Sequence, residues 1–84
     1  MKLKIYAIKD TVVGEMQLPF YQHNDGEAIR SITNAVNDKN NNAVKENFKD
    51  KQLFYLGTFD GNTGLIESDV KFMHNLQDLE IKGE

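Results

Sequence analysis

The first residues of the chain alternate between apolar and polar side chains in the manner of a β-strand. One face of residues 2–9 is wholly apolar and consists of Leu3, Ile5 and Ala7. The opposite face is mixed and consists of Lys2, Lys4, Tyr6 and Ile8. We expect the apolar face to lie in the core. A turn at residues 11–15 and a returning strand at residues 16–22 follow, and Pro19 places that strand at an edge or a bulge because proline donates no ladder hydrogen bond.

A capped helix is predicted after residue 24. Asn24 can accept hydrogen bonds from the first backbone amides, and Glu27, three residues later, can reach back in a capping box. Behind these residues, apolar side chains recur at the spacing of one helical face: Ala28, Ile29, Ile32, Ala35 and Val36. We expect the helix to end near Asn37, because the asparagine-rich segment that follows favours turns. Residues 43–50 are predicted to form a loop.

Residues 51–59 predict a strand that is apolar on both faces. Leu53, Tyr55 and Phe59 share one face, whereas Phe54 and Leu56 share the other, which favours a central position in a sheet. The turn-forming residues 60–64 and a short partner strand at residues 65–67 complete a second hairpin. Two alternatives remain for the tail. Residues 68–82 form either a helix that is capped by Ser68 or an extended segment along the sheet.

These elements predict a single α+β domain over residues 1–84. The order β-β-α-β-β gives an antiparallel sheet of about four strands with one helix packed on one face. Because one helix covers only one face, the other must be covered by residues 68–82, by another subunit or by a ligand. We expect the function to lie at that second face.

Composition narrows the class of protein. The 84 residues include no cysteine, which excludes disulfides, thiolate nucleophiles and cysteine-ligated metals. The chain carries 13 acidic and 10 basic residues, and the resulting net charge of −3 argues against strong non-specific binding to duplex DNA. We find no signal peptide and no apolar stretch that could span a membrane, and we therefore expect a soluble, unprocessed chain.

Residues for catalysis or metal binding are not grouped in recognisable motifs. His23 and His74 have no helix-spaced acidic or histidine neighbour of the kind that a metal site uses. The aspartates in turns are explained by turn formation and capping. We therefore predict a protein that is not an enzyme, with no metal, no cofactor and no small-molecule substrate.

The mixed face of the first strand suggests a nucleic-acid site. Lys2 and Lys4 would flank Tyr6, and single-stranded DNA is commonly held by cations on its phosphates and rings on its bases. Arg30, Lys49 and Lys51 could extend this patch. The alternative is a solubilising strand face whose lysines discourage edge pairing.

Four segments in order carry a resemblance to a known family. They are Met1-Lys2-Leu3-Lys4-Ile5-Tyr6-Ala7-Ile8 with Asp10, Gln17-Leu18-Pro19-Phe20-Tyr21, Gly26-x-Ala28-Ile29-Arg30, and Leu53-Phe54-x-Leu56-Gly57-x-Phe59-Asp60 with Thr63-Gly64. Over residues 1 to about 64 the chain resembles the small nonstructural protein of gokushovirus-type microviruses, which are single-stranded DNA phages. Asn47-Phe48-Lys49-Asp50 stands where the family would have a His-Pro-Glu-Asp-like turn, and the tail after Glu67 matches poorly.

The resemblance implies a phage protein of the host bacterial cytoplasm that is absent from the capsid and binds DNA. Our leading hypothesis is an accessory factor in phage DNA replication or packaging that binds single-stranded DNA or the viral replication machinery through Lys2, Lys4, Tyr6 and Arg30. The alternative is a protein-interaction module, a homodimer or an adaptor for a host or viral protein. Its predicted contacts are Phe54, Leu56, Phe72, Met73 and Leu76.

Overall fold

The computed structural model describes residues 1–38 and 48–80. Five strands and one α-helix follow one another in the order β1–β2–β3–α1–β4–β5. Their bounds are β1 (Lys2–Asp10), β2 (Glu15–Met16), β3 (Phe20–Gln22), α1 (Asp25–Val36), β4 (Lys51–Asp60) and β5 (Ile66–Asn75). Short 3-10 turns precede β4 at Phe48–Asp50 and follow β5 at Leu76–Leu79.

The strands form one antiparallel sheet in the order β2-β1-β4-β5, and β3 pairs with β1 beside β2. The predicted α+β class is correct in its general form. The predicted second strand is divided into two short strands, because the segment around Pro19 interrupts the ladder. The predicted three-residue partner strand is instead the ten-residue β5, which extends through most of the predicted tail.

Helix α1 begins and ends where the sequence predicts. The side chain of Asn24 accepts a hydrogen bond from the Glu27 amide at 2.9 Å. The Glu27 carboxylate reaches back to the His23 amide at 3.4 Å, one residue earlier than in a standard capping box. At the other end, the Asn37 amide donates to the Thr33 carbonyl oxygen. The helix thus has both ends capped, and its apolar stripe faces the sheet.

The hydrophobic core lies between α1 and one side of the sheet, which we call the helix side. Its buried members are Tyr6, Ala28, Val36, Phe48, Leu53 and Leu76. The two 3-10 turns supply Phe48 and Leu76, and they contact each other at one end of this core. No helix or strand among the described residues packs on the opposite side of the sheet, which we call the open face.

The structure reverses the predicted orientation of β1. Tyr6 and Ile8 contact the core beneath α1, whereas Leu3, Ile5 and Ala7 lie on the open face. Both faces of this strand carry apolar side chains, so alternation alone could not select the side on which the helix packs. The tyrosine decides it, because its hydroxyl finds a partner at the start of α1. Ile5 and Ala7 are nevertheless buried within the sheet.

A bulge at Leu56 changes the register in the middle of the sheet. Ile5 lies opposite Gly57 and Tyr6 opposite Tyr55, so Leu56 is an extra residue relative to β1. Gly57 has φ +150, and its backbone approaches that of Glu67 and Ser68 in β5. A side chain at position 57 would overlap the Glu67 carbonyl. The bulge therefore depends on glycine at this position.

A candidate binding surface on the open sheet face

The register of the sheet defines which side chains form the open face. Residues directly opposite one another in an antiparallel pair share a face, and alternate residues along a strand do so as well. The members from the three long strands and β3 are Leu3, Ile5, Ala7, Lys9, Tyr21, Gln52, Phe54, Gly57, Phe59, Ile66, Ser68, Val70, Phe72 and Asn75. Four strands at about 4.8 Å spacing make this surface roughly 15 Å wide.

Aromatic rings dominate the surface and lie in two pairs. Phe54 and Phe72 have ring centroids 5.7 Å apart at 73°, and Tyr21 and Phe59 lie 6.2 Å apart at 64°. Both pairs are edge-to-face, the arrangement that the aromatic quadrupole favours. Phe72 is 52% exposed and Tyr21 is 49% exposed. Each pair therefore presents a ring that is about half exposed to solvent.

The charges on the strands are divided between the two sides of the sheet. The carboxylates of Asp10, Asp60, Glu67 and Asp69 lie on the helix side, because each shares that side with an opposing or alternate helix-side residue. On the open face Lys9 is the one charged residue among the described strands, and its ammonium lies 5.7 Å from the Phe54 ring centroid. The open face can accept an electron-rich or anionic ligand without carboxylate repulsion.

Tyr6 occupies a different environment from the one predicted. Its side chain is fully buried, and its hydroxyl donates a 2.6 Å hydrogen bond to the Asp25 carboxylate. The pKa of Tyr6 is raised far above its usual value, mainly by burial of the side chain and in addition by this hydrogen bond. The ring packs against Phe20 and Tyr55. The prediction that Tyr6 is available to stack on a base is wrong, since the ring belongs to the core.

The lysines and the arginine of the predicted patch do not form one cluster. The Lys4 ammonium lies 3.6 Å from the Asp25 carboxylate and above the Tyr55 ring. Lys51, whose ammonium contacts the Asp10 carboxylate at 3.0 Å, lies at the other end of the strand pair. Along β1, Lys4 lies six positions from Asp10, the residue that Lys51 contacts, and this corresponds to roughly 20 Å. Arg30 is exposed on α1, Lys49 is exposed in the 3-10 turn, and Lys2 lies opposite Asp60.

The residues predicted for a partner interface are divided between the two sides of the sheet. Phe54 and Phe72 lie together on the open face, as that hypothesis requires. Leu76 is only 3% exposed and Met73 packs against the same core, so both are corrected to core residues. The reason is that the chain turns toward α1 after β5 and places the Leu76–Leu79 turn against the helix. Leu56 is the bulge residue and is partly buried.

Sequence reasoning missed several members of the open face. The sequence pattern does not single out Lys9, Tyr21 or Phe59 as binding residues, and it assigns Ile66 to a short strand and Val70 to the tail. The available signal was the alternation of residues 66–72, in which apolar or small side chains at even positions alternate with charged residues at odd positions. That pattern indicates a half-exposed strand and not a helix.

Within residues 1–38 and 48–80 no group of three or more histidine, aspartate or glutamate side chains is placed to hold a metal ion. In the same part of the chain, no helix has the length and apolar character that crossing a membrane requires.

Fold and surface together define a small α+β protein with an aromatic sheet face from which the strand carboxylates are excluded. The chain belongs to the phage ORF5 protein family, whose family model matches residues 3–79. No curated protein and no solved structure matches the chain. The protein is therefore a phage protein, and the match extends through β5 and the Leu76–Leu79 turn, beyond the residues on which the sequence resemblance rested.

Proposed function

We propose that the protein is a nonenzymatic accessory factor that acts in phage DNA replication or packaging in the host cytoplasm by holding single-stranded DNA on its open sheet face. One observation carries this proposal. Partly exposed rings on β3, β4 and β5, with a lysine beside Phe54 and no strand carboxylate on their side, form the kind of surface on which bases stack. The membership of a phage family supports the viral setting.

The mechanism differs from the one expected from the sequence. Stacking on Tyr21, Phe54 and Phe72 would provide most of the binding free energy, because Lys9 is the one cation that the described open face offers to a phosphate. Each ring–base stack contributes about 1–3 kcal/mol in proteins that bind this way. A single phosphate contact gives a slope of about −0.7 when the logarithm of the association constant is plotted against the logarithm of the salt concentration. Binding is therefore expected to be modest and only weakly salt-dependent.

Anisotropy of a fluorescently labelled oligonucleotide tests the proposal. Phe72→Ser and Tyr21→Ser remove half-exposed rings and are each expected to weaken binding roughly 5- to 150-fold. Leu18→Ser is the matched control, because Leu18 is an exposed apolar residue in the segment between β2 and β3 and carries no ring. Lys2→Gln with Arg30→Gln tests the cationic patch expected from the sequence. Absence of binding at low salt, or a loss caused by the Lys2 and Arg30 changes and not by the ring changes, contradicts the proposal.

A second candidate function is supported by the aliphatic part of the same surface. Ile66 and Val70 are both more than half exposed and lie beside the rings in β5, and cores of protein interfaces are similarly apolar and poor in charge. In this case the open face binds a viral or host protein, such as a component of the replication machinery.

A photo-crosslinking phenylalanine analogue in place of Phe72 distinguishes the two functions during infection. Single-stranded phage DNA in the adduct supports the first function, and a protein adduct of larger mass supports the second. The same analogue in place of Leu18 provides the background from non-specific contacts. An adduct at position 18 equal to that at position 72 contradicts both functions.

A further inference from the structure

The two lateral edges of the sheet differ in their protection against pairing. On the β1 side, the edge consists of the two-residue β2 and the three-residue β3, with Pro19 between them. Short edge strands and proline are common means of preventing a further strand from adding to a sheet. On the other side, β5 is a ten-residue strand without proline or glycine, and it pairs only with β4 among the described residues.

The side chains of β5 up to Phe72 alternate regularly along this free edge. Between residues 66 and 72, the even positions face the open side and the odd positions face the helix side. The central odd positions carry opposite charges, Asp69 and Lys71, and their charged groups lie 3.1 Å apart at exposed positions. Val70 lies between them on the open face and is 58% exposed. A strand with this sequence is complementary to an antiparallel copy of itself.

We propose that two copies of the protein pair through their β5 strands, in antiparallel orientation around a two-fold axis at Val70. In this register Asp69 of each copy lies opposite Lys71 of the other, and Val70 lies opposite its own equivalent. On the open face, Ser68 of each copy lies opposite Phe72 of the other, so a small residue is next to a large ring. Two opposite-charge pairs and an apolar centre would then hold the edge strands together.

Other registers are less favourable. An axis at Asp69 places the two Asp69 carboxylates opposite each other, and an axis at Lys71 does the same for the two ammonium groups. An axis at Ser68 opposes Glu67 to Asp69 in both directions. Axes between residues would pair side chains from opposite faces of the sheet, which antiparallel pairing does not permit. Among the axes at residues 68–71, charge and face together therefore select the axis at Val70.

This pairing joins the two sheets into one and leaves both open faces on the same side, because the two-fold axis runs perpendicular to the sheet. The aromatic surface would thus be continuous across the dimer, with Phe72 of each copy near the junction. The pairing does not depend on what the open face binds. Failure of DNA binding and failure of dimerisation are separate results.

Analytical ultracentrifugation of the protein without DNA tests the pairing. The wild-type chain is expected to show a concentration-dependent monomer–dimer equilibrium. Asp69→Lys and Lys71→Asp each turn both cross-strand pairs from attractive to repulsive, and each is expected to weaken self-association roughly tenfold or more. An equimolar mixture of the two variants is expected to form a heterodimer. One variant then presents lysines at both positions 69 and 71, the other presents aspartates at both, and each cross-strand pair is attractive again.

The heterodimer experiment also controls for folding, because only folded variants can restore association. The doubly exchanged Asp69→Lys, Lys71→Asp chain is expected to dimerise like the wild type. Should the single variants not fold, hydrogen exchange of the wild-type chain provides the second measurement. Those amides of residues 68–72 that point away from β4 should become more protected as concentration rises, while the amides of β2 and β3 do not change. A wild-type chain that is monomeric at all concentrations overturns the proposal, as does a dimer that Asp69→Lys leaves intact.

Discussion

Tyr6 connects the sheet to the start of the helix through one side chain. Its ring is fully buried among Phe20, Tyr55 and the core, and its hydroxyl donates to the Asp25 carboxylate in the first turn of α1. Asp25 also forms an ion pair with the Lys4 ammonium at 3.6 Å. Because Asp25 lies in the first turn of α1, its negative charge interacts favourably with the helix dipole. The Asp25 carboxylate thereby holds the first turn of α1 against β1.

The hydroxyl of Tyr6 should make a measurable contribution to stability. Tyr6→Phe keeps the ring packing and removes the hydrogen bond to Asp25, which is expected to cost about 1.5–3 kcal/mol because the acceptor is charged. Urea denaturation monitored by circular dichroism measures the change. Tyr21→Phe is the matched control, because the Tyr21 side chain is half exposed on the open face and should lose less than about 0.5 kcal/mol. Equal losses in the two variants would show that the hydrogen bond has no special role.

At the scale of elements, two turns of the sheet use the same chemistry. Asp10 and Asp60 each end a long strand, and each carboxylate accepts a hydrogen bond from the amide two residues later. Gly14 and Gly64 follow four residues after the aspartates with φ values of +82 and +78, and their amides donate back to the aspartate carbonyls at 2.7 Å. Aspartate and glycine at this spacing therefore close the turns locally.

Gly57 has a different role, because its requirement comes from a neighbouring strand. Gly57→Ala forces a Cβ atom against the Glu67 carbonyl in addition to the strain of a positive φ, and it is expected to cost at least about 2 kcal/mol. Gly14→Ala provides the control, since φ is positive there but no atom lies within 4 Å of the added carbon. The midpoint of urea unfolding should fall further for the first variant. A smaller loss at Gly57 than at Gly14 would mean that β4 and β5 can separate at the bulge.

The elements that could be predicted from the sequence are those determined by local chemistry. The capping residues Asn24 and Glu27 and the 3.6-residue apolar spacing located α1, and the turn residues 60–64 located the second hairpin. The full length of β5 could not be predicted, because Phe72, Met73 and Leu76 also fit a helical face, and the extended alternative for the tail is the one that holds over residues 68–75. Met73 is the extra residue at a register shift in β5, and it ends the alternation that runs from residue 66 to residue 72.

The candidate surface depends on long-range pairing between strands. Phe54 could be predicted as a surface residue because β4 is apolar on both faces. Tyr21 and Phe59 could not, since their ring contact requires β3 to pair with β1 and β1 with β4 in one particular register. The side chosen by the helix was equally inaccessible, because it depends on the hydrogen bond between residues 6 and 25. The open face thus results from tertiary structure and not from any local motif.

Two ionisable groups, Asp10 and Tyr6, predict how the stability of the folded protein depends on pH. The Lys51 hydrogen bond, followed by that of the Val13 amide, lowers the pKa of Asp10 below its usual value. Because the folded pKa is below the unfolded one, this stabilisation is present above roughly pH 4 and is lost as pH falls through the folded pKa. For Tyr6 the folded pKa is raised, so its contribution is constant below roughly pH 10. It is lost as pH rises above that value, because the unfolded chain then releases the proton first.

Thermal unfolding over a range of pH separates the two groups. Asp10→Asn is expected to flatten the decline of Tm below roughly pH 4, and Tyr6→Phe the decline above roughly pH 10. Each variant serves as the control for the other, since neither residue contacts the partner of the second. If Tm falls equally with rising pH above roughly pH 10 in Tyr6→Phe and in the wild type, the pKa of Tyr6 is not raised by folding. The Asp25 carboxylate would then not anchor α1 to the sheet in the way that the 2.6 Å hydrogen bond indicates.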